Sequence, residues 1–243
     1  MNLIFEREVY LNRFVNVCRL PNVIFGYTEL NFSMADLEEF FHPRRLTAIT
    51  QIHSDIIHSL GEENIPFETE GDGLIVRKPQ DMAVIETADC TPLFFWHNSP
   101  EVSVGGVIHI GWKGLQLGIE KRLIDYLNRN YSSLILSQLH FFLGPSIEAS
   151  CYEVGPDLYQ QFDRMSYRDE IFKEMKNNPD KTKLEMDVKK GIRLSLIESG
   201  IASQNISATN LCTFCEKERF PSYRRAKGTG QRIHNFLMLL NKQ

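Results

Sequence analysis

The chain has 243 residues, with 27 Lys and Arg against 31 Asp and Glu, for a formal net charge of −4. That balance excludes a general nucleic-acid binder, which needs a basic face for phosphate, and no apolar run approaches the roughly 20 residues of a membrane-spanning helix. Five scattered cysteines, an odd number, suit reduced thiols better than a disulfide framework.

No Pro-, Ser- or Gly-rich linker divides the chain, so a single domain over residues 1–243 is expected. The stretch Met1 to Arg7 carries Glu6 and lacks the apolar core of a signal peptide, so a cytoplasmic location is expected. Residues 1–32 alternate loosely between apolar and polar, with Pro21 and Gly26 as breaks, and predict short strands such as Val23 to Tyr27. Ser33 or Asp36 can cap a short helix through Phe41 that Pro43 ends. Thr47 to Ile52 reads as a strand delivering His53 at its end, and Asp72-Gly73 reads as a turn before the strand Leu74 to Val76.

Met82 to Ile85, Thr91 to Trp96 and Val102 to Ile110 are apolar, partly β-branched runs with the character of central strands. Leu115, Ile119, Leu123 and Leu127 recur at helical spacing and predict one amphipathic helix entered from the His109 loop. Gln138 to Leu143 is a further strand, Pro156 starts a helix through Phe162, and Ile171 to Lys176 reads as helical until Pro179. Asp187 caps a helix closed by Gly200, and Ile233 to Leu240 is a last strand or helix. Strands and helices mix without strict alternation, which predicts an α+β fold, and no Gly-x-Gly-x-x-Gly turn supports a dinucleotide site.

Chemistry concentrates between Glu86 and Gly114. Cys90 and His109 sit where Asp or Gly lets the backbone turn, and His53 lies one element upstream. A thiolate and two imidazoles suit zinc or copper, and three protein ligands leave an open fourth position, as in catalytic zinc sites. Cys90 also reads as a nucleophile activated by either histidine, or as a small buried thiol. Asp89 can orient a histidine, act as acid or base, or cap a turn. In Ser222-Tyr223-Arg224-Arg225-Ala226-Lys227, paired arginines can grip a phosphate or carboxylate, and Lys113 is a further anion contact. Cys212-Thr213-Phe214-Cys215 has zinc-knuckle spacing but no second pair nearby in sequence, and is read as structural.

Taken in order, Gln51-Ile52-His53, Asp72-Gly73-Leu74-Ile75-Val76, Thr87-Ala88-Asp89-Cys90-Thr91-Pro92, His109-Ile110-Gly111-Trp112-Lys113-Gly114, Gly144-Pro145-Ser146-Ile147 with Cys151-Tyr152-Glu153-Val154, and Cys212-Thr213 with Phe220 to Arg225 form a set. The set resembles the bacterial YfiH family, also called the multicopper polyphenol oxidase or laccase-like family. Its members are described as purine nucleoside phosphorylases and peptidoglycan editing factors.

The resemblance covers the chain from about residue 47. It implies a four-layer α/β/β/α fold like that of cytotoxic necrotizing factor catalytic domains. It also implies a metal, zinc or alternatively copper, held by His53, Cys90 and His109. The implied activity is phosphorolysis of adenosine, inosine or methylthioadenosine and deamination of adenosine. From their own chemistry, Asp89 and Cys90 are the catalytic residues expected. Lys113, Ser222, Arg224 and Arg225 are the substrate-binding residues expected for nucleoside and phosphate. The alternatives are a copper-dependent phenol oxidase and a protein that binds or edits cell-wall precursors.

Two departures stand out. The segment Gly26 to Ser33 lacks the family's usual arginine and paired glycines, so residues 1–46 diverge, and Lys113 replaces an arginine, keeping charge but losing the planar fork.

Overall fold

The computed structural model describes residues 3–61, 65–97, 102–131, 136–175 and 182–241. One six-stranded sheet runs in the order β1 (Glu6–Tyr10), β2 (Arg13–Leu20), β3 (Val23–Thr28), β15 (Ile233–Leu239), β7 (Asp81–Thr87) and β4 (Arg45–Thr47). A second has the order β14 (Ile206–Ala208), β10 (Leu139–Leu143), β8 (Thr91–His97), β9 (Gly105–Ile110), β6 (Gly73–Val76) and β5 (Ile57–Ser59). A small third sheet joins β11 (Glu153–Val154), β13 (Leu184–Met186) and β12 (Phe172–Glu174). The helices are α1 (Met34–Phe41), α2 (Trp112–Leu117), α3 (Ile119–Asn130), α4 (Pro156–Gln160), α5 (Arg168–Ile171), α6 (Val188–Glu198) and α7 (Tyr223–Ala226).

Because side chains on a strand alternate between faces, the two large sheets share a core and each keeps a second face for helices. Phe94 and Trp96 of β8 turn towards the first sheet, where they pack with Phe25, Ile85 and Leu237. Their neighbours Leu93 and Phe95 turn the other way, into a core with Leu115, Ile119, Leu123, Ile192 and Leu196 from α2, α3 and α6. On the outer face of the first sheet, Val84 and Phe236 pack with Leu37 of α1. The layers are therefore helix, sheet, sheet, helices, and the α+β class expected from the sequence holds.

Several local expectations hold. Ser33 caps α1 in a reciprocal box, its hydroxyl accepting from the Asp36 amide while its own amide donates to the Asp36 carboxylate. Asp187 caps α6 by accepting from the Lys190 amide at 2.8 Å.

Others are corrected. The single helix expected from Leu115 to Leu127 is two, α2 and α3, broken at Gly118, whose φ of +74° ends one and begins the other. The strand expected over Thr47 to Ile52 stops at Thr47, because the Thr50 amide bonds the Thr69 carbonyl and the Asp72 carboxylate collects the amides that follow. Val102 to Ile110 becomes a strand only from Gly105. The helix expected over Ile171 to Lys176 is the end of α5 followed by β12, whose Phe172 pairs with Met186, while Lys176 and Pro179 lie outside the described residues.

One buried carboxyl is conspicuous. Glu120 of α3 is 0% exposed, accepts a hydrogen bond from the Ser195 hydroxyl of α6 through Oε1, and leaves Oε2 without a partner. Burial pushes its pKa up from 4.5 to about 7, only partly offset by the Ser195 bond. The folded state thus holds a proton that the unfolded chain releases above pH 4.5, and stability present in acid is lost as pH rises through about 7. Glu120→Gln keeps the shape without the titration. It should raise stability at pH 8 by on the order of 2 kcal/mol and leave pH 5 nearly unchanged, read from urea midpoints. An equal shift at both pH values would remove the titration argument.

Candidate metal centre

Three connections bring the expected donors together. His53 lies in the segment after β4, Cys90 in the turn from β7 to β8, and His109 near the end of β9. Antiparallel pairing sets Pro92 opposite His109, which carries the Cys90 turn to the same end of the sheet. The Cys90 sulfur and one ring nitrogen of each histidine lie within 4.8 Å of one another. Cys90 Sγ is 3.8 Å from His53 Nε2, and the two imidazoles meet edge to face with centroids 4.7 Å apart. Gly111 leaves the room for this approach, since a Cβ there would lie 2.9 Å from the Cys90 sulfur and 3.2 Å from His53 Cδ2.

Asp72 organises the two histidines, a role hidden in the sequence behind an Asp-Gly pair that reads as a turn. Its fully buried carboxylate accepts from His109 Nδ1 at 2.7 Å, from the Ser54 hydroxyl at 2.6 Å, and from the His53 amide at 3.0 Å. The second contact set holds the 52–54 turn, where His53 adopts a left-handed φ of +58°. Burial pushes the Asp72 carboxyl up, but the bonds from His109 and Ser54 outweigh it and hold it at about 2.

Cys90 and His109 each favour the charged form of the other. Burial pushes the thiol up, yet the His109 charge and the bonds from both histidines bring it down to about 6. Burial likewise lowers His109, but the Cys90 thiolate and Asp72 carry it up to about 9. The two shifts run in opposite directions, so the site favours a thiolate at Cys90, the form in which sulfur binds a metal. One thiolate and two imidazoles, with a carboxylate fixing one ring from behind, fit Zn²⁺ or copper.

The Asp89 carboxylate does not orient a histidine, as the sequence suggested it could. Oδ1 accepts from the Thr213 hydroxyl at 2.6 Å, and Oδ2 accepts from the Ser222 hydroxyl at 3.0 Å and the Arg224 amide at 2.7 Å. Its main chain sits at φ +100°, with its carbonyl accepting from the Ile147 amide. Strain of this kind persists where surroundings over-determine it, and here the C-terminal segment does so one residue from Cys90.

The expected anion contacts divide in the same way. Arg225 spends its guanidinium on the carbonyls of Thr213, Phe214 and Phe220, each at 2.7 Å, and Ser222 caps α7 while bonding Asp89. Packing α7 against the Asp89 turn thus commits the Ser222 hydroxyl and three of the five Arg225 N–H groups to the protein itself. Arg224 differs: it is exposed, donates once to the Glu153 carbonyl, and lies over the Tyr152 ring at 4.9 Å. Lys113, on the first turn of α2, is exposed and has no ion-pair partner among the described residues. Asp89, Cys90, Gly111, Trp112 and Tyr152 line a recess of about 50 Å³.

A family model described as multi-copper polyphenol oxidoreductase laccase matches residues 29–239. The chain belongs to this family. The match begins upstream of residue 47, where the recognisable motifs start, and takes in β4 and part of the divergent N-terminal segment. A purine nucleoside phosphorylase of Clostridium acetobutylicum is 30% identical over 213 residues, spanning 86% of this chain and 84% of that protein. An adenosine deaminase from an unknown prokaryotic organism is 24% identical over 192 residues, 78% of this chain and 71% of its own length. Among solved structures, YlmD of Geobacillus stearothermophilus shares the fold with a TM-score of 0.84 at 21% identity, covering 99% of this chain and all of that one.

Proposed function

We propose that the protein is a metal-dependent enzyme acting on purine nucleosides, by phosphorolysis of adenosine, inosine or methylthioadenosine and by deamination of adenosine. His53, Cys90 and His109 hold Zn²⁺ in this reading. The observation that carries it is the convergence of those three donors, with Asp72 behind His109, in a chain 30% identical to a protein named purine nucleoside phosphorylase.

A bound Zn²⁺ supplies Lewis acidity and an activated nucleophile at neutral pH. The protein's own groups do the rest. Asp72 keeps the His109 Nδ1 proton in place and so presents Nε2 unprotonated to the metal. Trp112 and Tyr152 offer flat apolar walls to a purine ring. A volume of about 50 Å³ holds only a water or two, so the nucleoside lies across the mouth of the recess. There Arg224 and Lys113 supply the positive charge that phosphate requires. Asp89 fixes the Cys90 turn and the start of α7 relative to each other, which positions Arg224.

Metal-replete protein should release adenine or hypoxanthine from these nucleosides only when phosphate is present, and should form inosine from adenosine without it. Both activities should disappear on chelation and in Cys90→Ala. No product from any purine nucleoside would end this reading. Oxidation of phenols by copper is the second reading, favoured by the family's description. Among the described residues two groups of convergent donors occur and only one contains histidine, a sparse set for four-electron reduction of oxygen. Oxygen uptake that tracks bound copper would revive it.

A further inference from the structure

The Cys-x-x-Cys at 212–215, which has no nearby partner in sequence, acquires one in space. The sulfurs of Cys151, Cys212 and Cys215 all lie within 4.8 Å of one another, and those of Cys151 and Cys215 are 3.5 Å apart. With sulfur at about 2.3 Å from a tetrahedral ion, sulfur pairs stand roughly 3.8 Å apart. Small side-chain adjustments therefore bring all three to one ion.

The main chain is already arranged for thiolates. Residues 212–215 form a tight turn, closed by the Glu216 amide on the Cys212 carbonyl at 2.9 Å. The Glu148 amide donates to the Cys212 sulfur at 3.4 Å. An amide directed at a cysteine sulfur stabilises negative charge there and favours a metal ligand over a neutral thiol. The three sulfurs also grade outward: Cys212 is buried, Cys151 half-buried and Cys215 exposed. That gradient supplies an entry path and a fourth position open to solvent. A Cys151–Cys215 disulfide would pair only two of the three sulfurs and must close 3.5 Å to about 2 Å. It would leave Cys212, with the Glu148 amide aimed at its sulfur, outside the bond.

We propose that Cys151, Cys212 and Cys215 form a second metal site, separate from the histidine-containing centre, that takes one thiophilic ion of the Zn²⁺ or Cu⁺ class. Binding exchanges thiol protons for the ion and oxidises nothing. Its effect is mechanical. Cys151 adjoins Tyr152, a wall of the recess, and Cys212 adjoins Thr213, which donates to Asp89. An ion here would fasten the 148–152 turn to the 212–215 turn and hold both against the Cys90 loop.

The test is metal stoichiometry on the full chain, stripped by chelation and titrated anaerobically with Zn²⁺, Cu⁺ and, as a spectroscopic probe, Co²⁺. Wild type should take about two equivalents. Cys215→Ser, at an exposed position, and Cys151→Ser should each fall to about one and lose most of the sulfur-to-cobalt absorption. Cys90→Ala should instead retain the equivalent that those variants lose, which separates failure at this site from failure at the proposed active site. Competition between Zn²⁺ and Cu⁺ identifies the preferred ion. A second equivalent that survives in both serine variants overturns the proposal. So does a wild type binding one ion that only Cys90→Ala abolishes, or a Cys151–Cys215 disulfide in protein purified under mild reductant.

Discussion

Asp72→Asn should weaken metal retention at His53, Cys90 and His109 by about 10- to 100-fold, the usual cost of removing the carboxylate behind a ligating histidine. The carboxylate accepts from His109 Nδ1, from the Ser54 hydroxyl and from the main chain of residues 52–54, and an amide of the same shape cannot accept from all of them. Its NH₂ must oppose at least one donor inside a fully buried site. Breaking a buried, hydrogen-bonded charge pair in this way costs about 3–5 kcal/mol of stability, so metal loss and a lower unfolding midpoint should appear together.

The pH dependence provides a separate signature. Folding lowers the Asp72 pKa from 3.8 to about 2, so its stabilisation is present above pH 3.8 and is lost as pH falls through about 2. Wild type should lose more stability across that window than Asp72→Asn, which keeps other depressed carboxylates such as Glu29 and Asp36. Metal competition against a coloured chelator, followed by acid denaturation, reads both effects. Unchanged affinity would mean that His109 does not need its Nδ1 partner to bind metal.

Gly111→Ala should remove metal and activity while leaving the fold intact. The Gly111 backbone, at φ −88° and ψ −178°, is one that alanine adopts freely, so no conformational strain enters. The added methyl meets the Cys90 sulfur at 2.9 Å and His53 at 3.2 Å, a distance at which the donors must separate. Displacing catalytic groups by about 1 Å costs on the order of 100-fold in rate, and metal affinity should fall at least tenfold with it. The thermal midpoint of the metal-free protein should move little. Wild-type metal content in this variant would place the ion away from the space between Cys90 and His53.

The sequence carried much of this centre but not its wiring. His53, Cys90 and His109 were visible because soft donors at turn positions are uncommon and because the ordered motifs resemble one family. Asp72 was not, since Asp before Gly reads as a turn whatever its carboxylate reaches. Asp89 reads in sequence as a histidine's partner, an acid or base, or a turn cap, whereas its carboxylate's partners Thr213, Ser222 and Arg224 come from the far end of the chain. Cys151 was missed for the same reason as the third member of the thiol cluster. Alternation located most central strands, and it failed where a tertiary acceptor outbid the ladder, as Asp72 does beyond Thr47. The helix run concealed a break because leucines and isoleucines kept helical spacing across Gly118.

The place of β15 bears on how the protein is made. It comes last along the chain among the described strands, yet it lies inside the first sheet with β3 on one side and β7 on the other. Until residues 233–239 leave the ribosome, β3 and β7 each offer an unpaired edge that can recruit the wrong strand. At about 5–20 residues per second, the early half of that sheet waits many seconds for its middle. A nascent chain of this topology depends on whatever shields those edges during translation, and the sheet closes only when a strand made long after β3 and β7 arrives between them.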